Sequence, residues 1–362
     1  MIHLTYNFED LPTIIKNQWK NIEISRDIQH MWLKTCEKAI KNYTPIYYVK
    51  EAKGIIDFVV VGSLIKKLDC LQFTQNDDVV QKILEKRKLD NDYYKYDVLF
   101  IGGPMSMEAG TYFSENVDYN DVFQEFQKNI FDSKIAEGIF FTNVDIHDRH
   151  LSGNNTISFP YYPNTMLKLP FESFDDYLNN QKAKRRWDIK NKQKLFNEQG
   201  CSIEIIQNSK INEVNFSILY ELYANTENNN FETINYQHYC DCDKFQSFKY
   251  LTDDFIWIIA KQNGRIIGFA LLVHDESKLT LKHVGLDYSV NRQTYLYFNL
   301  FYRAIKFGID NHYRYIICGS TTYDVKVSLG CELINRTAYI SIDKNKGEDV
   351  SDLYNLTLGG NL

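Results

Sequence analysis

Leu279 to Ile342 reads LTLKHVGLDYSVNRQTYLYFNLFYRAIKFGIDNHYRYIICGSTTYDVKVSLGCELINRTAYISI. Its apolar spacing predicts a strand, a long buried helix, a second strand, a short helix around Lys326 and Gly330, and a last strand. A strand that returns through a helix to a neighbouring strand makes a crossover, so the two strands run parallel and open a crevice at their carboxyl ends. Ligands of open sheets bind in such crevices, which makes this stretch the place to look for a site.

An earlier part of the chain repeats the pattern. Ile46 to Val61 reads IYYVKEAKGIIDFVVV and Ile256 to Val273 reads IWIIAKQNGRIIGFALLV. Each has an apolar strand, a polar turn with Gly, and a second strand that starts near Ile-Ile, so both are expected to be β-hairpins. The first is followed by a strand at Val98 to Ile101, a helix from about Tyr119 to Ala136 with Val122, Phe123, Phe126 and Ile130 at helical spacing, and a strand at Ile139 to Val144. The matching parts of the second half are Leu279 to Val284, Gln293 to Gly308 and Tyr313 to Cys318. The expected architecture is α+β: two copies of one unit, each with a mixed, largely antiparallel sheet flanked by helices. The first copy carries an insertion at roughly Leu64 to Tyr94, with a charged helical stretch at Asp78 to Lys88. Pro160, Pro163 and Pro170 interrupt regular structure between the copies. We place the boundary at Pro163, giving domains 1–163 and 164–362. Ser173 then caps a helix broken near Gln181 and ending at Gly200.

The 362 residues suit two domains, and a 44% hydrophobic content is enough to build two cores. The formal charge of -6 excludes a generic nucleic-acid coat, which needs a basic surface. No apolar run approaches a membrane span and MIHLTYNFEDLP has no signal-peptide pattern, so a cytoplasmic chain is expected. The 7 cysteines have no framework spacing and are expected as thiols.

Within the opening stretch, Tyr295, Phe298, Tyr302, Ile305 and Ile309 form a buried helical stripe, while Asn299, Arg303, Lys306 and Asp310 form a polar one. Asn299 and Tyr302 fall in the half of the helix nearest the crevice. STTYDVKVSLG, from Ser320 to Gly330, follows a strand directly. Its hydroxyls and Lys326 suit an anion, or equally a plain helix cap with a solvated lysine. His283 ends a strand at the crevice, either as a general base or as a packed core residue. Lys182 to Lys194, KAKRRWDIKNKQK, sets seven basic residues against one acid around a helix, a positive wall for a polyanion in an acidic chain, or else a solvated face. The crowded Asp145, His147, Asp148 and His150, and His238, Cys240 and Cys242, lack metal-ligand spacing, and no metal is expected. Gly102-Gly103-Pro104 reads as a turn, and there is no nucleophile elbow, Walker or dinucleotide motif.

The duplicated unit, FDDYLNNQKAKRRWDIKNKQK and YLYFNLFYRAIKFGIDNHYRYIICGSTTYDVKVSLG together resemble the Fem-like branch of the GNAT-fold transferases. The likeness is diffuse over about residues 40 to 342. It implies tandem GNAT folds, with activity in the second copy, and direct attack of an amine on a thioester or aminoacyl ester. Lys326 and Gly330 match the lysine and glycine that the family carries after the last parallel strand. Two departures narrow the expectation. Between Val284 and Tyr295 only Gly285 stands where a glycine-rich pyrophosphate loop would be, so acetyl-CoA held in the ordinary way is not expected. Phe298-Asn299 replaces a Phe-Glu pair, which removes a carboxylate base. The roles implied are His283 as base, Tyr302 or Tyr323 as proton donor to the leaving group, and Lys326 as anion binder. Arg185, Arg186, Lys190, Asn299 and Ser320 would hold the donor. No tightly bound cofactor is expected. The donor would be a co-substrate (aminoacyl-tRNA, acyl-CoA or a carrier thioester), and the partner an amine on a small molecule or peptide. The alternative is a tandem GNAT fold that binds without catalysis.

Overall fold

Both hairpins form, and both turn in the same way. β2 (Pro45–Ala52) meets β3 (Ile55–Asp69) through Lys53-Gly54, and β9 (Phe255–Gln262) meets β10 (Arg265–His274) through Asn263-Gly264. The two residues of each turn have positive φ, 54° and 79° in the first and 48° and 84° in the second. That is the mirror-image turn whose twist suits paired strands, and it is why Gly occupies the second position each time. The computed structural model describes residues 1–22, 28–40, 43–69, 82, 85, 94–102, 106–145, 156–230, 240, 242–275 and 277–343. The charged stretch Asp78 to Lys88, apart from Lys82 and Glu85, lies outside these, as do Gly103-Pro104, His147, Asp148, His150 and His238.

The chain divides into two compact units, one of Met1–Glu37, Asn42–Tyr162 and the chain from Asn335, the other of Lys38–Lys41 and Pro163–Ile334. In the first unit the sheet runs β1 (Ile2–Thr5), β2, β3, β4 (Lys95–Ile101), β6 (Gly138–Asp145) and the latter part of β13 (Glu332–Ile342), with β5 (Thr111–Phe113) beside β3. β4 and β6 are parallel and the other pairs antiparallel. Alternation along β2 sends Ile46 and Tyr48 toward α3 (Tyr119–Asp132), with its Val122, Phe123, Phe126 and Ile130. It sends Tyr47 and Val49 to the other face, against Ile15 and Trp19 of α1 (Thr13–Trp19) and Leu33 of α2 (His30–Ala39). The domain expectation of 164–362 needs one correction. Arg336 to Ile342 pair antiparallel with Gly138 to Asp145, so the end of the last strand belongs to the first unit.

In the second unit β7 (Thr156–Lys168, from Pro163), β12 (Tyr315–Gly319), β11 (Lys278–Leu286), β10, β9 and β8 (Cys201–Gln207) lie in that order, with only β11 and β12 parallel. Ser173 caps α4 (Phe174–Asn179) by accepting the Asp176 N–H, and α5 (Ala183–Glu198) follows after the expected break. α4, α5 and α8 (Leu296–Asp310) cover one face through Tyr177, Ile189, Phe196, Leu300 and Ile305. α6 (Phe216–Asn230) covers the other. There Phe216, Tyr223, Phe245, Phe248, Trp257 and Phe269 form one aromatic cluster. The single helix expected from Gln293 is instead two. α7 (Tyr288–Thr294) stops at Tyr295, which is left-handed with φ 54°, and α8 starts beyond it.

Gly285 is where α6 meets β11. A β-carbon there would lie 2.2 Å from the Phe269 ring and 2.9 Å from the Tyr223 backbone nitrogen. Gly285→Ala is therefore expected to destabilise the protein by about 2 to 3 kcal/mol through overpacking, read as a lower urea midpoint at unchanged slope.

Candidate functional site

β11 and β12 stay together for only three residue pairs, Lys278 with Tyr315, Leu279 with Ile316 and Thr280 with Ile317. Beyond them β11 bulges. Leu281 lies opposite Leu272 and His283 opposite Leu271, which leaves Lys282 as the extra residue. β12 ends at Gly319, whose φ is 77°. The two carboxyl ends thus part, and the predicted crevice opens between residues 281–286 and 318–322.

The α8 and α9 (Tyr323–Ser328) side carries hydroxyls and one cation. Tyr297, in the first turn of α8, lies with its hydroxyl 3.2 Å from Thr322 Oγ1. Thr322 is left-handed, which turns the chain from β12 into α9. Half-buried Ser320 lies in that turn, and the Tyr323 hydroxyl donates to the Pro163 carbonyl at 3.0 Å. Lys326 is not solvated. It is 2% exposed, and its Nζ faces the Gly319 carbonyl at 3.4 Å, a carbonyl that also accepts from Thr165 Oγ1. Burial lowers its pKa to about 8, with the Cys318 and Cys331 thiols acting the other way. Those thiols share a hydrogen bond; burial raises Cys318, and the bond lowers Cys331.

The α6 side is aromatic and acidic. The bulge turns His283 to this face, where its ring packs edge-on against Tyr223 at 5.4 Å and Phe248 at 6.0 Å. Burial, then Lys282, lowers its pKa to about 3. The ring is enclosed by aromatic neighbours and too weakly basic to take an amine's proton effectively, so the expectation of His283 as general base is corrected: the ring is a packing residue. Glu227 and Tyr288 stand at the edge of this face, and burial raises both, Glu227 to about 7. Sequence reading missed Glu227, a helix-end carboxylate that looks solvated until α7 covers it. Buried Lys282 and half-buried Tyr297 were missed as well.

Where a diphosphate-binding loop would lie, the N-terminal N–H groups of α7 are already engaged. Asp287 Oδ1 accepts the Ser289 N–H at 3.0 Å and its carbonyl accepts those of Val290 and Asn291. Its other carboxylate oxygen pairs with Arg265 at 3.0 Å.

The remaining expected residues divide. Tyr302 is 2% exposed and sits in the core beside Tyr177, Asp188 and Arg185, away from Thr322. Asn299 donates to the Tyr295 carbonyl at 3.0 Å and braces the break between α7 and α8. Both are corrected to structural positions; within α8 it is Tyr297, not Tyr302, whose hydroxyl meets Thr322. On α5, Arg185 turns inward toward Tyr177 and Cys331 and Arg186 donates to the Asn179 carbonyl. Lys184, Lys190 and Lys194 are exposed around Trp187, itself 67% exposed.

In the first unit the parallel strands remain paired to Ile101 and Phe141. Gly110 then approaches Gly102 so closely that a β-carbon would meet its Cα at 2.6 Å. Elsewhere a hollow of about 490 Å³ lies on the β8 edge, spanned by the Lys261–Glu204 ion pair and remote from these groups. Among the described residues, no three His, Cys, Asp or Glu side chains converge as metal ligands and no helix is long and apolar enough to cross a membrane.

Residues 147–344 match the FemAB-like family model, described as peptidoglycan biosynthesis/recognition. Three solved structures share the fold. FemX is 11% identical with a TM-score of 0.59 and 98% of this chain and 99% of its own covered. L-PGS from Bacillus licheniformis is 12% identical, with a TM-score of 0.52 and coverage of 93% and 98%. A conserved protein of unknown function from Bacteroides thetaiotaomicron is 13% identical, with a TM-score of 0.57 and coverage of 95% and 100%. No curated protein matches the sequence.

The buried His283 has a stability consequence. Its folded pKa of about 3 lies below the ordinary 6.5, so the unfolded chain takes up the proton first. Its contribution is complete above pH 6.5 and is lost as pH falls from there toward 3, by up to about 1.4 kcal/mol per pH unit. Urea unfolding between pH 7.5 and 4.5 is expected to show this slope, and His283→Gln to flatten it.

Proposed function

The chain belongs to the FemAB-like family, and from that premise we propose that it is an acyl- or aminoacyltransferase that forms an amide by direct attack of an amine on an activated ester, in cell-wall or specialised-metabolite biosynthesis. The observation that carries the reading is the parting of β11 and β12 beyond Thr280 and Ile317. Backbone N–H groups of β11 beyond Thr280 are released from the β12 side and can face a tetrahedral oxyanion. Lys326, held at the Gly319 carbonyl, brings a positive charge to the end of β12, and Ser320 and Thr322 carry hydroxyls in the turn that leads from it into α9.

The filled start of α7 supports a donor other than CoA. A diphosphate placed there would meet the Asp287 carboxylate instead of open N–H groups. Aminoacyl-tRNA suits the site better. The exposed Lys184, Lys190 and Lys194 of α5 offer charge to phosphates, with Arg186 beside them, and the bare Trp187 face offers stacking to a base.

The test pairs a pool of aminoacyl-tRNA, and separately a panel of acyl-CoAs, with a panel of simple amines (lysinamide, glycinamide and 2-aminoethanol), product being measured above the enzyme-free rate. Amide is expected from aminoacyl-tRNA. Lys326→Ala should lower kcat/KM about 100-fold, and joint reversal of Lys184, Lys190 and Lys194 to Glu should raise the KM for tRNA with a weaker salt dependence. Product from CoA alone would reject the donor, and no product from any donor would reject the transferase reading.

A further inference from the structure

α6 ends where β11 ends. Gly285 lets the Tyr223 backbone lie against the strand, and the Leu286 N–H donates to Thr226 Oγ1 at 3.1 Å. The last turns of α6 are thereby pinned over the carboxyl edge of β11, at the mouth of the crevice. Glu227 follows Thr226, one turn after Tyr223 and on the same helix face. From α7, the Tyr288 hydroxyl faces Thr226, Asn229 and Glu227. From its own helix Glu227 meets Tyr223, behind which lie Cys240 and the His283 ring. No cation among the described residues pairs with this carboxylate, and burial alone acts on it.

The row continues across the crevice. Tyr288 acts on Tyr297, and the Tyr297 hydroxyl meets Thr322 Oγ1 at 3.2 Å. Glu227, near the end of α6 beside the last residues of β11, and Tyr297 with Thr322, beyond the end of β12, thus stand at the two strand ends that part. The other titratable groups here are otherwise engaged. His283 is packed, Asp287 is paired with Arg265, and Lys326 is already a cation.

We propose that Glu227 is the general base that accepts the proton of the attacking amine, and that Tyr297 protonates the leaving group. The inference rests on the transferase reading above. The amine nitrogen bonds to the acyl carbon, and the carbon–oxygen bond to the donor breaks. The nitrogen's proton passes to the Glu227 carboxylate, and the leaving oxygen takes the Tyr297 proton. Glu227 then gives its proton to solvent and Tyr297 recovers one from solvent, so amine and ester give amide and alcohol with no other reactant. Burial suits each group to its part: it raises the carboxyl to about 7 and keeps both phenols protonated. Glu227 also supplies, from another element, the carboxylate absent at Asn299.

Two measurements on the full chain test this. In the aminoacyl-tRNA assay with lysinamide, wild-type kcat should rise with pH through a midpoint near 7. Glu227→Gln should lower its plateau about 100-fold or more and abolish the rise, with the KM for tRNA unchanged, while Glu227→Asp should keep a pH-dependent limb. Independently of activity, carbon-13 NMR of carboxyl-labelled protein should show one glutamate titrating near pH 7 that Glu227→Gln removes. A glutamine variant with the wild-type profile, or a Glu227 carboxyl titrating near 4.5, overturns the inference and leaves the transferase reading standing. Absence of transfer by wild type from any donor overturns both, and the NMR result then says only whether the carboxyl is perturbed.

Discussion

One extra residue in one strand organises the second unit. Side chains alternate along a strand, so the bulge at Lys282 reverses the facing of all that follows. Before it, Leu279 and Leu281 enter the core beneath α8; after it, Val284 and Leu286 do so, and His283 and Gly285 face α6. The bulge follows the last residue of β11 that pairs with β12. The packing of α6, the burial of His283 and the opening of the crevice are consequences of the same irregularity. A regular β11 would put His283 into the aliphatic core and a leucine under the aromatic cluster.

Charge is distributed by burial and capping. The α9 wall holds a cation drawn into the protein by a strand-end carbonyl, and the α6 wall holds a carboxylate that burial keeps near its protonation point. Between them α7 begins with its own acid, paired with Arg265. A helix start that would attract a phosphate is neutralised from within. The start of α7 is thereby left without open N–H groups, while the exposed lysines of α5 lie on a different helix.

The parts of this design that a sequence shows are those with local causes. Lys53-Gly54 and Asn263-Gly264 announce the hairpins because only certain residues take positive φ. Ser173 announces α4 because its hydroxyl meets a free N–H three residues on. The break at Tyr295 has no such signal, since a tyrosine in the left-handed region is held there by tertiary contacts and by the Asn299 amide. Missing the break misassigns the phenol: periodicity alone favours Tyr302, whereas the structure turns Tyr297 to Thr322. Glu227 was hidden for a related reason. Whether a helix-end carboxylate is solvated depends on a helix some 60 residues further along the chain. The pairing of β13 with β6 joins segments almost 200 residues apart, beyond the reach of any local pattern.

The duplication lets the two copies of one unit be compared strand by strand. Both units contain the hairpin, the following strand, the helix and the parallel return strand. In the first, β4 and β6 remain paired to Ile101 and Phe141, where β4 ends, and Gly110 packs against Gly102 and Val61 on the β3 side. In the second, the bulge and the Gly319 turn hold the strands apart, and polar groups collect at their ends. The difference is backbone geometry before it is side-chain chemistry. On this argument the open strand ends come first, and the proposed roles of Lys326 and Glu227 depend on that opening.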